Sequence, residues 1–294
     1  MKNFKTYLGL SALVVIHVIA NNITRKNLLT LEPIVISMVS LFLATLVIWS
    51  LHFILGRRID LDFKKVLTLS VGGIFGIAGF HIYLSMALEA TSLDIALLFI
   101  GGIPLMTLVA ALLIGKKTRF RNIFWVHFAL LGVMLINIQA MRSMIFMPRT
   151  IGIMLLGNVC LVFYTLFNEK MSLKYELREI VSIQVTTGSI TLILFYIYKM
   201  ETVAYELKEL IVAFRDLKTV GSIFFLVLFS ICISHYFYNH ALKKVGAVMT
   251  ALFINLIPVI NLLYKLFIDD NQLRFTGILG SLMILLSIYV IEDI

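Results

Sequence analysis

Apolar residues fill this chain in long, nearly unbroken runs, and most charged residues gather in the short gaps between them. A window about 20 residues wide, enough for a helix to cross roughly 30 Å of hydrocarbon, resolves ten such runs. Their approximate limits are Thr6–Thr24, Ile34–Leu55, Val66–Leu88, Ile95–Ile114, Ile123–Ala140, Ile151–Phe167, Ile180–Tyr198, Val220–Leu242, Val245–Ile268 and Phe275–Ile291. The pattern predicts an all-α polytopic membrane protein of ten transmembrane helices. The longest connection, Lys199–Thr219, has 21 residues, so no soluble catalytic domain fits between spans. Two runs contain nearly the same heptapeptide, LFIGGIP at 98–104 and LFINLIP at 252–258. Both end on proline, which a helix interior tolerates poorly because it removes a hydrogen bond and crowds the preceding turn.

Composition agrees with the pattern. The 294 residues are 61% hydrophobic and 14% charged, with a mean hydropathy of +1.01, against roughly 45–50% and 25% in soluble domains. Lys2 and Lys5 precede the first run as they would in a secretory signal, but nine further spans follow, which favours a retained first helix. Cys160 and Cys232 fall in different spans and read as small apolar packing residues rather than a disulfide.

The net charge of +9 reads as topology rather than as a nucleic-acid surface. With a cytoplasmic N-terminus and all ten runs crossing, fifteen Lys and Arg fall on the inside and nine on the outside, with Lys265 inside a span. That is the bias of the positive-inside rule, so both termini are expected in the cytoplasm of a multi-pass cell-membrane protein.

Setting His81–Ile114 against His235–Ile268 without gaps gives eleven identities in 34 positions, including His81/His235 and Pro104/Pro258. The chain therefore divides into two five-helix halves, residues 1–141 and 142–294. Five is odd, so the second half must enter the membrane from the other side, and the flanking charges should reverse. They do. The hairpin bearing Glu89 and Asp94 corresponds to one bearing Lys243 and Lys244, and the loop with Lys116, Lys117, Arg119 and Arg121 corresponds to one with Asp269, Asp270 and a single Arg274. Such inverted repeats occur chiefly in transporters, with the substrate near the midplane between the halves.

The stretches ALEATSLDIALLFIGGIPLMTLVAALLIGKK (87–117), ALKKVGAVMTALFINLIPVINLLYKLFIDD (241–270), IANNITRK (19–26) and YTLFNEKM (164–171) resemble the EamA branch of the drug/metabolite transporter superfamily. The resemblance covers essentially the whole chain. It implies ten helices with both termini cytoplasmic, and export or exchange of small metabolites by alternating access. The chain departs from the family pattern at Lys116, where an acidic residue is usual, and at Ser40 and Leu41, where an Arg often stands.

Polar groups inside the membrane are expensive and are functional candidates by default. His81 and Ser85 share a face of span three, and their repeat mates His235 and Asn239 share one of span eight. Functionally, these pairs would line a central cavity; structurally, they would only fasten neighbouring helices. Asn22 and Tyr164 are candidates on spans one and six. Asn255 stands where the first heptapeptide has Gly101, and Pro104 and Pro258 are the expected helix breaks. Lys265 either snorkels to the outer interface or anchors a substrate anion. Gly72, Gly76 and Gly79 permit close helix approach.

No carboxylate is expected mid-span, which leaves histidine-borne proton coupling, exchange and facilitated diffusion open. His235 and His240 lie five apart, on different helical faces, unlike the pair of a helical zinc site, and no Gly-rich phosphate loop is present. The expectation is a carrier without catalytic residues, metal or cofactor, in contact with the bilayer and a small-molecule substrate, not nucleic acid, and monomeric or homodimeric. It would move a small polar or amphipathic metabolite, amino-acid-like or drug-like, outward. The alternatives are an exchanger of phosphorylated or carboxylate metabolites, or a channel or sensor on the same fold.

Overall fold

The computed structural model describes residues 3–27, 31–143, 147–199, 211–268 and 274–291, which are helical almost throughout and contain no strand. The crossing helices begin with α1 (Phe4–Asn27), α2 (Pro33–Ile54), α3 (Phe63–Ala90), α4 (Leu93–Leu113) and α5 (Phe120–Ile136). They continue with α6 (Pro148–Lys174) and α7 (Leu177–Lys199). The long segment Leu217–Ile268 is two helices, because Gly246 has φ 80° and ψ 172°, a left-handed φ that glycine adopts without steric cost. Hence α8 covers residues 217–245 and α9 covers 247–268, and α10 (Phe275–Val290) completes the set. The chain is an all-α polytopic membrane protein with ten apolar helices among the described residues, as the hydrophobic pattern predicts.

Successive helices run antiparallel, which defines an N-terminal face, where α1, α3, α5, α7 and α9 begin, and a far face opposite. Side-chain pairs between helix ends follow this order. On the N-terminal face Lys65 joins Glu179 at 2.8 Å, His52 meets Ser182 at 2.9 Å, and Lys116 pairs with Glu169. On the far face Lys199 joins Glu89 at 3.0 Å and Lys265 joins Asp94 at 2.9 Å. Charged side chains thus meet at the ends of the bundle, where solvation is available.

Backbone irregularities recur at one spacing. Asp62 caps α3 by accepting from the Lys65 backbone N–H, and Asp216, 154 positions on, caps α8 by accepting from those of Lys218 and Thr219. The backbone bonds from Thr219 and Lys218 hold the Asp216 carboxyl below the usual carboxylate range. Ten residues after each cap a π-helical stretch begins, Gly72–Ala78 in α3 and Leu226–Ile233 in α8, their starts again 154 positions apart. Single π-turns inside α-helices occur often at functional sites, and here each precedes the histidine shared by the two heptapeptide-bearing stretches.

Close approach explains the glycines. An added Cβ at Gly72 or Gly73 would collide with Gln184 or Thr187 on α7, and one at Gly76 or Gly79 with Tyr164 or Cys160 on α6. α3 is pressed against both helices through this bare face, as packing by small residues in membranes requires. α5 and α10 cross in the same way, with Gly132 and Gly280 each facing the other's carbonyl oxygen. Gly280→Leu is therefore expected to lower stability by about 2 kcal/mol, the scale of overpacking, whereas Gly221→Ala, with open space around it, should leave melting in detergent unchanged or slightly raised. Equal melting temperatures for the two variants would refute the α5–α10 contact.

The far-face pair gives a second test. Lys265 and Asp94 are 25% and 38% exposed, so their bond is worth only about 1 kcal/mol. Lys265→Met and Asp94→Asn should each cost about that amount and the double variant less than their sum, a coupling that weakens with salt. Strict additivity in a thermal double-mutant cycle would show that the pair is not formed.

Candidate functional site

The centre of the bundle lies where α1, α3, α4, α6, α8 and α9 pack on one another. Three of these helices carry an imidazole. His81 on α3 has Nδ1 3.1 Å from Ser37 Oγ of α2. His235 on α8 has Nδ1 3.0 Å from the Ile231 carbonyl, and its ring stands edge-on to that of Tyr164, 6.1 Å between centroids. His17 on α1 has Nδ1 2.9 Å from the Leu13 carbonyl. The three rings are half-buried. Because α3 and α8 run in opposite directions, His81 stands past the middle of its helix toward the far face, and His235 past the middle of its helix toward the N-terminal face.

Asn239 follows His235 by one turn. Its Nδ2 donates to the His235 carbonyl at 2.8 Å and to the Tyr164 hydroxyl at 3.1 Å. Its Oδ1 is buried with no partner among the described residues. Tyr164 stacks on Tyr238 with centroids 6.1 Å apart, and the Tyr238 hydroxyl shares a 2.7 Å bond with Thr165. Ser85, on the face of His81, is buried. The structure thus brings His235, Asn239 and Tyr164 into direct contact, while His81 is bonded to Ser37.

The expected breaks are present. α4 is interrupted between Leu93–Ile100 and Ile103–Leu113, with Pro104 in the first turn of the second piece. Asn158 of α6 donates to the Phe99 carbonyl at 2.7 Å and satisfies the broken backbone from outside the helix. A Cβ at Gly101 would run into Val133 of α5, so the glycine makes room for that helix. In α9 the break is a 3₁₀ turn, Phe253–Asn255, followed by Pro258. Asn255 is 0% exposed, and neither amide atom has a partner among the described residues. An unpartnered buried amide costs on the order of 1–3 kcal/mol for each group.

The two broken helices are not equally enclosed. Residues 247–259 of α9 are buried on every face, while the matching part of α4, 93–105, is half-exposed at most positions. The enclosed end is closed off by Phe253, whose ring stacks almost parallel on Tyr7 of α1 at 5.6 Å.

Other candidates lie apart from the imidazoles. Asn22, at the far-face end of α1, donates to the Asn261 Oδ1 of α9 at 3.2 Å and to the Val18 carbonyl at 2.9 Å. Lys265 is held by Asp94, so its ammonium is engaged within the chain. Reading the residues alone missed Asn261, Asp94 as the partner of Lys265, and the Tyr7–Phe253 stack. Each joins residues more than 150 positions apart, and only the place of Asn261, one turn after Pro258, hinted at a role. Among the described residues no group of three or more His, Cys, Asp and Glu side chains could hold a metal ion.

Residues 149–292 match the EamA-like transporter family. An uncharacterized transporter of Archaeoglobus fulgidus is 26% identical over 263 residues, 89% of each chain. The uncharacterized transporter YyaM of Bacillus subtilis is 24% identical over 229 residues, covering 76% of this chain and 72% of its own. A crystal structure of a protein that is 15% identical superposes with a TM-score of 0.74 over 97% of this chain and 95% of its own, and so shares the fold. With ten apolar helices among the described residues, a second half that matches the EamA-like transporter family and relatives named as transporters, the chain is a multi-pass membrane transporter similar to the EamA-like members of the drug/metabolite transporter superfamily, and its partners are the bilayer and a small-molecule substrate.

Proposed function

We propose that the protein is an alternating-access carrier that exports a small polar or amphipathic metabolite across the cell membrane, with its N-terminal face in the cytoplasm. The observation that carries this reading is the pair of broken helices, α4 and α9, which flank a central group of buried polar side chains in otherwise apolar surroundings. Discontinuous helices of matching position in two halves, here residues 1–141 and 142–294, are how carriers place polar backbone at membrane depth. His81, Ser85, Tyr164, His235 and Asn239 form the core of the site, Asn255 and Gly101 mark its floor at the breaks before Pro258 and Pro104, and Asn22 lines its approach from the far face. Enclosure of 247–259 supports a conformation closed toward the N-terminal face. Lys265, engaged by Asp94, serves the far-face rim rather than a substrate anion.

Purified protein in liposomes tests the reading by counterflow, in which internal unlabelled substrate accelerates uptake of label. Saturable counterflow is expected of the wild type, and His81→Ala and His235→Ala should each cut its rate by roughly tenfold or more, the scale of one lost hydrogen bond to a charged group. Wild-type rates in both variants, at equal amounts of folded protein, would remove the imidazoles from the site. Flux that never saturates would identify a channel.

A further inference from the structure

Two carboxamides meet on the seam between α1 and α9, and a backbone carbonyl fixes which way both of them face. A carbonyl oxygen only accepts, so the Asn22 atom 2.9 Å from the Val18 carbonyl is the amide nitrogen, and the same nitrogen donates to Asn261 Oδ1 at 3.2 Å. That leaves an acceptor, Asn22 Oδ1, and a donor, Asn261 Nδ2, each without a bond among the described residues. Neither atom is sealed inside the protein, unlike the open atoms of Asn239 and Asn255. Asn168 and Gln184 show the contrast, because these two amides exchange both bonds, at 2.9 and 2.7 Å, and close on each other.

Covalent geometry keeps the two open atoms near each other. The oxygen and nitrogen of one amide share a carbon and lie about 2.2 Å apart, so across a 3.2 Å bond Asn22 Oδ1 and Asn261 Nδ2 are separated by at most about 8 Å. One planar amide with a hydrogen bond at each end reaches across the same span. Toward the centre of the bundle the seam is apolar, with Val18, Ile257 and Pro258 buried. Toward the far face Lys26 lies over the Tyr264 ring, 5.4 Å from its centroid, and Lys265 is held by Asp94 at 2.9 Å. Asn22 itself is 4% exposed, so its open oxygen gains little from bulk water.

We propose that Asn22 and Asn261 form a recognition site for a neutral planar group that carries a donor beside an acceptor, such as a primary carboxamide, a urea or the edge of a pyrimidinone ring. The ligand's N–H donates to Asn22 Oδ1 and its carbonyl accepts from Asn261 Nδ2, which completes the ring of bonds that Asn168 and Gln184 complete by themselves. A carboxylate has lone pairs at both ends and sets one of them against Asn22 Oδ1. An amidinium has hydrogens at both ends and sets one of them against Asn261 Nδ2. Either mismatch leaves a polar group unpaired, and that penalty is what makes a hydrogen-bonding site selective. The place of this site on a transport path rests on the carrier reading above; binding at the amide pair does not.

Melting of the purified full-length protein tests this, because any ligand of the native state raises the melting temperature. The probes are benzamide, benzamidinium and benzoate, and the aliphatic set butanamide, butanamidinium and butanoate. Members of a set are alike in size and shape and differ in charge and in their donors and acceptors. At least one amide should stabilise the wild type, with its amidinium and its carboxylate binding roughly tenfold more weakly. Asn261→Asp keeps the bond from Asn22 and exchanges the open donor for a second acceptor, so its preference should pass from the amide to the amidinium. Should the aspartate variant not fold, Asn261→Leu should lose the advantage of the amide without favouring the amidinium. The proposal is overturned if neither amide stabilises the wild type, if the three members of each set stabilise it alike, or if the folded Asn261 variants keep the wild-type order. The carrier reading fails on a different result, the loss of saturable counterflow for every label, whether or not an amide binds.

Discussion

Inside a bilayer there is no water to complete an unpaired hydrogen bond, so each polar group the chain places between the faces must find its partner within the chain. The rest of the structure follows from that constraint. Every crossing element is a helix because a helix satisfies its own backbone. Where α4 breaks, a side chain of another helix, Asn158, takes the carbonyl of Phe99. Asn168 and Gln184 join α6 to α7 through two reciprocal bonds of 2.9 and 2.7 Å, an amide pair that is fully buried and closed on itself. Against this background of satisfied groups, the open Oδ1 of Asn239 and the whole amide of Asn255 are exceptions, as are the hydroxyls of Ser40 and Thr107. Their cost has a reason if a transported molecule supplies the missing partners for part of the cycle.

The fold was legible because hydrophobic length is a one-dimensional signal. Ten runs became ten helices, and the kinship of the two heptapeptides reappears as matched breaks. What lies between is also matched: the caps at Asp62 and Asp216 and the π-helical stretches at Gly72–Ala78 and Leu226–Ile233 share one spacing. The π-helices themselves could not be read in advance, since GGIFGIA and LVLFSICI have little in common beyond apolarity. Nor could the break at Gly246 be distinguished from the many other glycines without its φ.

The candidate side chains were legible in the sequence and their connections were not. His81, His235, Asn239 and Tyr164 stand out in any list of polar residues within apolar runs. Pairing is another matter, because a helix presents each side chain in one direction only and the direction of its neighbour depends on the packing of the whole bundle. Thus Lys265 reads as a snorkelling cation, with an anion anchor as the alternative, until Asp94, 171 positions away, comes within 2.9 Å. Gly101 reads as bare backbone for a ligand until Val133 is seen filling the space beside it.

The enclosure of residues 247–259 has a bearing on how the protein senses its surroundings. That stretch touches only protein, while residues 93–105 retain surface beyond the bundle. A change in bilayer thickness or lateral pressure acts on exposed helical surface, so it reaches one broken helix directly and the other only through its neighbours. On the carrier reading proposed above, the lipid thereby becomes an unequal participant in the balance between two access states, able to bias it without touching the central side chains.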